Sequence, residues 1–446
     1  MKSLIKKALC VMLVCCLSVL ISGCSLFDFF SAENLLKPPK LTGEKAQLQV
    51  AFEQTVGTDV SLYTPIAGEH RGSYILFDGN ADGNDEAIVF YSFNSNSSVI
   101  HMHLLSLIDG EWQSIGDITG SGTEVYKVDF RNIDSSRNLE ISVVWSLDDS
   151  KREKTLCIYR FELNTPDSLV SLASIQMSDF IFADVDGDNA NELLYFYFNN
   201  TKDFTVTARL IDYNLQESNF VPLSEVSLPF SFTQIVQVHS DKEDNNYRFY
   251  IDCISPNSEI FTEVIVYSSV SAVLFIPTVN DENISSRSVR DADVLCRDFN
   301  NDGYYDVPVM LNYSESYTIS ETESELDGVA FVEWYTFLDK EFISIGKYFI
   351  NEYDGFALKI DSFYDYYYIV YDYANKVTQI RIKNMSEESN LVATISYADS
   401  SSDSLIIIPD GFLSEKDAKE FSVVLSAKGE SLGFTENFVR SLISKL

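Results

Sequence analysis

Asp78-Gly-Asn80-Ala-Asp82-Gly83-Asn-Asp-Glu86 is a nine-residue acidic loop, and the chain writes it twice more. The copies are Asp184-Val-Asp186-Gly-Asp188-Asn189-Ala-Asn-Glu192 and Asp298-Phe-Asn300-Asn-Asp302-Gly303-Tyr-Tyr-Asp306. Oxygen-bearing side chains stand at loop positions 1, 3, 5 and 9 each time. Alternate positions of a tight turn point inward together, and a Ca²⁺ ion wants six to eight hard oxygens at about 2.4 Å. Position 6 must reverse the chain, which favours φ > 0. Gly83 and Gly303 adopt that freely, and Asn189 is the next most tolerant residue type. The expected ligands are therefore Asp78, Asn80, Asp82 and Glu86; Asp184, Asp186, Asp188 and Glu192; and Asp298, Asn300, Asp302 and Asp306. The backbone carbonyl of position 7 is expected to add one more.

Working outward, each loop opens into short runs rich in β-branched and aromatic residues. After the first loop these are Glu86–Phe93, Val99–Leu105, Trp112–Ile118 and Glu124–Phe130, parted by turn residues such as Asp109-Gly110. A decayed loop, Asn132-Ile-Asp134-Ser-Ser136-Arg-Asn-Leu-Glu140, then restarts the cycle. A second decayed loop is read at Asp241-Lys-Glu243-Asp244. The starts at Asp78, Asn132, Asp184, Asp241 and Asp298 recur at a period in the fifties, with about four strands in each. That is the sequence signature of a propeller blade, and a sandwich of unrelated strands does not explain a loop that returns in register. The fold class is read as mainly β: a propeller of about five four-stranded blades, with six or seven left open. The strand Ser73–Phe77 lacks a blade of its own and the last unit lacks an obvious fourth strand, so pairing these two is expected to close the ring.

The ends of the sequence read differently. Lys2, Lys6 and Lys7 precede an apolar run, Ala8–Ile21, that is too short to span a bilayer comfortably, and it ends in Ile21-Ser22-Gly23-Cys24. That tetrad resembles a bacterial lipobox. The resemblance implies a signal peptide over 1–23, and acyl chains on Cys24 that hold the protein on the outer face of a cell membrane. Residues 24–45, with Pro38-Pro39, are expected to be a tether; ~20 flexible residues span roughly 25 Å. Glu44–Thr55 has helical spacing, with Leu48, Ala51 and Phe52 on one side. The propeller is expected over 46–348. The remainder, 349–446, is expected to be a small α+β domain, with helices over Ser414–Phe421 and Thr435–Leu446.

Charge and cysteine usage narrow the class. The net charge is −35, and loss of the three signal lysines makes it −38, which excludes nucleic acid as a partner. Cys157, Cys253 and Cys296 are an odd set in apolar runs without CxxC spacing, so each is expected to be a buried free thiol. His101 and His103 share one strand face, but lack a third ligand for zinc. Aromatic runs such as Phe331–Tyr335 and Phe363–Tyr368 are read first as packing and second as a ligand surface.

The intact loops, each followed by a strand from position 9 or 10, resemble the FG-GAP and VCBS repeats, the calcium-loop propeller repeats also found in integrin α-chains. The match covers roughly Ser73–Tyr348. Together with the lipobox, the whole resembles the repeat-containing surface lipoproteins of Gram-positive bacteria. This implies structural Ca²⁺ and an extracellular binding, adhesion or scaffold role toward a glycan or protein. The two decayed loops depart from that pattern. A competing expectation is an extracellular hydrolase or lyase acting on polysaccharide from a propeller face, although no GxSxG, HExxH or phosphate loop stands in the chain.

Overall fold

In the computed structural model, helix α1 (Glu44–Val56) buries Leu48 and Phe52, as their spacing predicts. The structure describes residues 44–136, 138–147, 153–162, 169–199, 205–279, 282–290, 294–311, 329–361, 366–372, 375–383, 390–397 and 421–445. Contacts divide the chain into two compact units: Met1–Asp59 with Leu105–Ser114, and Val60–Leu104 with Ile115–Leu446. In its described part the smaller unit is α1 and the tip of one hairpin.

The described residues are mainly β, in six antiparallel sheets of four or five strands. The first holds β1 (Val60–Tyr63), β2 (Ile75–Phe77), β3 (Glu86–Phe93), β4 (Asn96–Ile108) and β5 (Glu111–Thr119). The second holds β6 (Glu124–Arg131), β7 (Glu140–Ser146), β8 (Lys154–Phe161) and β9 (Leu169–Met177). The third holds β10 (Asp179–Ala183), β11 (Glu192–Phe198), β12 (Val206–Asn214) and β13 (Asn219–Ser227). The fourth holds β14 (Gln234–Glu243), β15 (Asn246–Ile254), β16 (Ile260–Ser268) and β17 (Val273–Phe275). A two-stranded ribbon, β18 (Thr278–Val279) and β19 (Glu282–Asn283), leads into α2 (Ile284–Arg287). The fifth sheet holds β20 (Asp306–Met310), β21 (Val329–Leu338), β22 (Glu341–Asn351) and β23 (Phe356–Lys359). The sixth holds β24 (Tyr367–Asp372), β25 (Val377–Ile382), β26 (Leu391–Tyr397) and β27 (Phe421–Leu425). After α3 (Ala427–Ser431) and α4 (Glu436–Ser441), strand β28 (Ile443–Lys445) joins the fifth sheet beside β23.

Within the larger unit the sheets pack in series. Phe77, Phe90 and Leu104 of the first sheet share a core with Phe130, Val143 and Phe161 of the second. Val144 and Ile158 meet Phe180 and Leu193 of the third, and Leu194 and Phe196 meet Phe249 and Ile251 of the fourth. Tyr250 and Val264 meet Val307 and Phe337 of the fifth, and Phe331 and Phe349 meet Ile369 and Ile395 of the sixth. Such stacking covers both faces of a sheet, so the inner strands are buried along their whole length rather than on alternate residues. Every residue of β7 is buried, whereas β9 and β13 are half-buried or exposed at every residue but Met177.

Several expectations are corrected. Asp241 and Glu243 do not open a loop; they lie in β14, and Glu243 pairs with Asn246 across a tight hairpin. The chain lacks a position-6 reversal there, and alternate acids on a strand share a face just as they would in a turn. Strand β2 belongs to the first sheet, paired with β3, so it is not the partner of the last unit. The fifth sheet has its own further strands in β23 and β28. Strand β22 runs through the domain boundary expected at 348–349. Thr435 does cap a helix, its hydroxyl accepting from Phe438 N, but that helix stops at Ser441 and the next residues form β28. Of the helix expected at Ser414–Phe421, only Phe421 is described, and it begins β27. The signal peptide, Cys24 and the tether as far as residue 43 lie outside the described residues.

Candidate metal centre

Each intact loop is built from one set of hydrogen bonds. Position 1 accepts from the main-chain N–H of position 6: Gly83 to Asp78 at 3.1 Å, Asn189 to Asp184 at 3.2 Å and Gly303 to Asp298 at 2.9 Å. Position 3 accepts from position 5: Asp82 to Asn80, Asp188 to Asp186 and Asp302 to Asn300, at 2.9–3.1 Å. Position 5 accepts from position 7, at 2.7 Å in the first two loops and 2.9 Å in the third. These bonds tie the side chains of positions 1, 3 and 5 to the loop's own main chain.

Position 6 adopts φ > 0 as expected, at +86° for Gly83, +70° for Asn189 and +91° for Gly303. Position 4 does so as well. Ala81, Ser135, Gly187 and Asn301 have φ of +55°, +58°, +87° and +56°. Sequence reasoning missed this, because Ala and Ser carry no preference for that region.

Position 9 begins the following strand, which takes its carboxylate inside. Glu86, Glu192 and Asp306 are 0–1 % exposed. Each accepts from the N–H of position 2: Gly79 at 2.9 Å, Val185 at 2.7 Å and Phe299 at 2.9 Å. The second oxygen of Glu192, Oε1, is buried without a hydrogen-bond partner. Burial, and then the charges of Asp186, Asp212 and Asp188, push its carboxyl up to about 8 against the opposing Val185 N–H. Asp306 is pushed up to about 6 by burial, with Asp302 and Asp298 adding to it against the bonds from Thr336 and Phe299.

Loop 184–192 is the most concentrated. One carboxylate oxygen from each of Asp184, Asp186 and Asp188 lies within 4.8 Å of the others. Oxygens around one Ca²⁺ at about 2.4 Å lie no more than about 4.8 Å apart. The spacing of the triad therefore suits a hard divalent cation, whereas Glu192, the fourth expected ligand, is not part of that cluster. Tyr247 and Tyr267 of the fourth sheet feel the same charges. Burial, then Asp184 and Glu192 for Tyr247 and Glu192, Asp186 and Asp212 for Tyr267, hold both phenols above their ordinary range. In the other two loops an amide replaces the second acid. Asn80 Nδ2 donates to Asp82 at 3.1 Å, and Asn300 Nδ2 to Asp302 at 2.8 Å.

Loop 132–140 keeps the scaffold. Ile133 N–H donates to the buried Glu140 at 2.9 Å, Ser136 N–H to Asp134 at 2.9 Å and Asn138 N–H to Ser136 Oγ at 3.1 Å. Between its two acids sits Arg160 of β8, with Nη2 at 2.5 Å from Asp134 and Nε at 3.4 Å from Glu140. The acids of β14 are met in the same way. Arg248, fully buried, reaches Asp241 through Nε at 2.5 Å and Glu243 through Nη1 at 3.1 Å. Neither arginine was legible as a loop partner, because only the strand register brings it there.

The two histidines also find a partner that sequence spacing did not reveal. His101 Nδ1 and His103 Nδ1 lie 3.1 and 2.9 Å from Asp117, which also accepts from Tyr91 Oη at 2.8 Å. Burial alone would raise the Asp117 carboxyl, but these three bonds hold it below the usual carboxylate range. His103 is 1 % exposed, so the pair is not a solvated strand face. Trp334, part of the aromatic run weighed as a ligand surface, is fully buried and stacks on Phe299. Cys157, Cys253 and Cys296 are buried free thiols, as expected.

No protein-family profile matches the chain. No curated protein matches it. Among solved structures, it is similar to a hypothetical selenium-binding protein from Sulfolobus tokodaii, with 12% identity over 51% of this chain and a TM-score of 0.32. The match spans 58% of that protein's length. It is also similar to a GH43 β-1,3-galactosidase, with 7% identity over 76% of this chain and 75% of that one, and a TM-score of 0.28. Likeness at this level carries no argument about function.

Proposed function

We propose that this protein is a lipid-anchored surface protein whose sheets form a propeller stabilised by Ca²⁺, displayed outside the cell to bind a glycan or a protein. The observation that carries the reading is the loop chemistry: three in-register loops, each with position 9 buried, and in loop 184–192 a buried carboxylate oxygen that nothing in the protein satisfies. An unpaired acid in a dry setting costs several kcal/mol or stays protonated; a divalent cation resolves both. The serial packing of four-stranded meanders supports the propeller, since the second to fifth sheets each bury both faces on their neighbours in sequence. Asp78, Asn80, Asp82 and Glu86 would hold one ion, Asp184, Asp186, Asp188 and Glu192 a second, and Asp298, Asn300, Asp302 and Asp306 a third. The ions fix where each strand begins, so they serve the scaffold.

The lipobox tetrad Ile21-Ser22-Gly23-Cys24 supports attachment to the outer face of the membrane through Cys24. Calorimetric titration of chelator-treated protein with Ca²⁺ tests the metal reading; three equivalents are expected, and no heat above dilution would sink it. Fractionation of cells carrying Cys24→Ala tests the anchor, with release from the membrane expected. Glycan arrays and crosslinking on intact cells test for the partner. Turnover of a bound polysaccharide would instead favour a hydrolase or lyase.

A further inference from the structure

In three of the loops one residue outside the loop faces position 9 from the next strand. The register of β7 with β8 pairs Ile141 with Tyr159, which places Arg160 opposite Glu140. The register of β11 with β12 pairs Leu193 with Ile211, which places Asp212 opposite Glu192. In the fifth sheet Asp306 pairs directly with Thr336, whose hydroxyl donates to it. The same structural position thus carries a cation, an anion and a neutral hydroxyl in three loops that share the bonds from positions 2, 5 and 7 to positions 9, 3 and 5.

The consequences for charge are opposite. Loop 132–140 has neutral donors at positions 1 and 5, Asn132 and Ser136, and two carboxylates, Asp134 and Glu140. Arg160 bonds to both acids. A guanidinium stays protonated at any physiological pH, so this charge cannot be titrated away. A divalent ion entering the loop would have to displace Arg160 from both partners and sit beside its positive charge. Loop 184–192 has carboxylates at positions 1, 3, 5 and 9, and Asp212 adds a fifth. Affinity of calcium loops is tuned by the number of ligand charges. The acid pair Asp241 and Glu243 repeats the first solution: Asp241 pairs across strands with Arg248, which bonds to both acids.

We infer that the residue opposite position 9 decides cation occupancy, with Arg160 closing loop 132–140 by supplying the charge from within and Asp212 making loop 184–192 the tightest of the divalent-cation sites. This rests on the calcium reading of the intact loops and adds to it residues that lie outside them. Asp212 acts on the ion directly or through Glu192, and in either case strengthens the site electrostatically.

The test exchanges the two charges in the full chain and counts sites with Ca²⁺ calorimetry and with Tb³⁺ luminescence sensitised through nearby tyrosines. The wild type is expected to take three ions. Asp212→Arg should take two, and Arg160→Asp should take four. Arg160→Lys should stay at three, because a cation still fills the loop. Asp212→Asn changes one charge at nearly constant shape, so it decides the matter if Asp212→Arg fails to fold. It should keep three sites while weakening the tightest one at least about tenfold. Three sites of unchanged affinity in Arg160→Asp, Asp212→Arg and Asp212→Asn would overturn this inference and leave the calcium reading standing. A wild type that takes no ion would overturn both.

Discussion

The main-chain N–H of Asn191 donates to the carbonyl of Asn132 at 2.8 Å, and the Asn191 side-chain amide donates to the same oxygen at 2.8 Å. Asn191 is position 8 of one loop and Asn132 is position 1 of the loop before it. Position 8 reaches back in two further loops, to a different acceptor each time. Leu139 N–H, position 8, donates to the Gly79 carbonyl at 2.8 Å, and Tyr305 N–H, position 8, donates to the Asp241 carboxylate at 2.7 Å. Loop 132–140 is thus tied to loop 78–86, loop 184–192 to loop 132–140, and loop 298–306 to strand β14.

Calcium removal is expected to loosen three of these junctions together. Saturation at a hundred times the dissociation constant adds about 2.7 kcal/mol for each site. Chelation should lower the melting temperature by roughly 5–10 °C, and added Ca²⁺ should restore it. Differential scanning calorimetry with and without EDTA measures this, and superimposable traces would contradict it.

Asp252 is the hub that pins Arg290 and Cys296 onto the fourth sheet. It accepts from Arg290 at 2.8 Å, Gln237 at 2.8 Å, Thr262 at 2.5 Å and the Cys296 N–H at 2.8 Å. Asp252→Ala leaves Arg290, 2 % exposed, as a buried charge without its carboxylate. Breaking such a pair costs about 3–5 kcal/mol. Guanidinium unfolding should show the midpoint falling accordingly. A loss under 1 kcal/mol would mean that the hub is not formed in solution.

Glu263 gives stability a pH dependence. Burial pushes its carboxyl up to about 8, opposed by the Val264 N–H and by Ser285 of α2. Its folded value lies above its unfolded one, so the protonated group favours the folded state. That contribution is whole below about 4.5 and is lost as pH rises to about 8. Its size is on the order of a few kcal/mol. Glu263→Gln should flatten the stability profile between those two values, and an unaltered slope in urea melts across that range would rule this out.

Gly120 lies against an indole. A Cβ placed there would stand 2.3 Å from the Trp145 ring, and Trp145 is 1 % exposed. Gly120→Ala forces the ring or the backbone to move, at about 1–3 kcal/mol. A lower melting temperature with altered tryptophan fluorescence is the expected result; unchanged emission and stability would show that the contact is slack.

The loops were legible because oxygen side chains at positions 1, 3, 5 and 9 are demanded by chemistry rather than by packing. The free thiols and α1 were legible from their apolar surroundings and spacing. Arg160 and Arg248 were not, since a long flexible side chain reaches its acid only once cross-strand register is fixed. The misreading at Asp241 has a related cause: an acid at every second residue suits both a calcium turn and one face of a strand. In the helix expected at Thr435–Leu446, Phe438, Leu442 and Ile443 fit a helical spacing, yet Ile443 pairs into a sheet on the edge of β23. Tertiary pairing there overrides local periodicity.

The meander order of the sheets also sets a timetable. In four of the six sheets every strand pairs with a neighbour in sequence, and in the first β1 only skips past β2 to reach β3, so ordering costs little loop entropy and each can assemble soon after its own residues are made. The fifth sheet is different. Phe356 must pair with Lys445, and the whole sixth sheet is written between them. Completion of that one edge has to wait for everything that intervenes, which makes it the slowest step to form and the first place where a nascent chain would stand open to a chaperone or a protease.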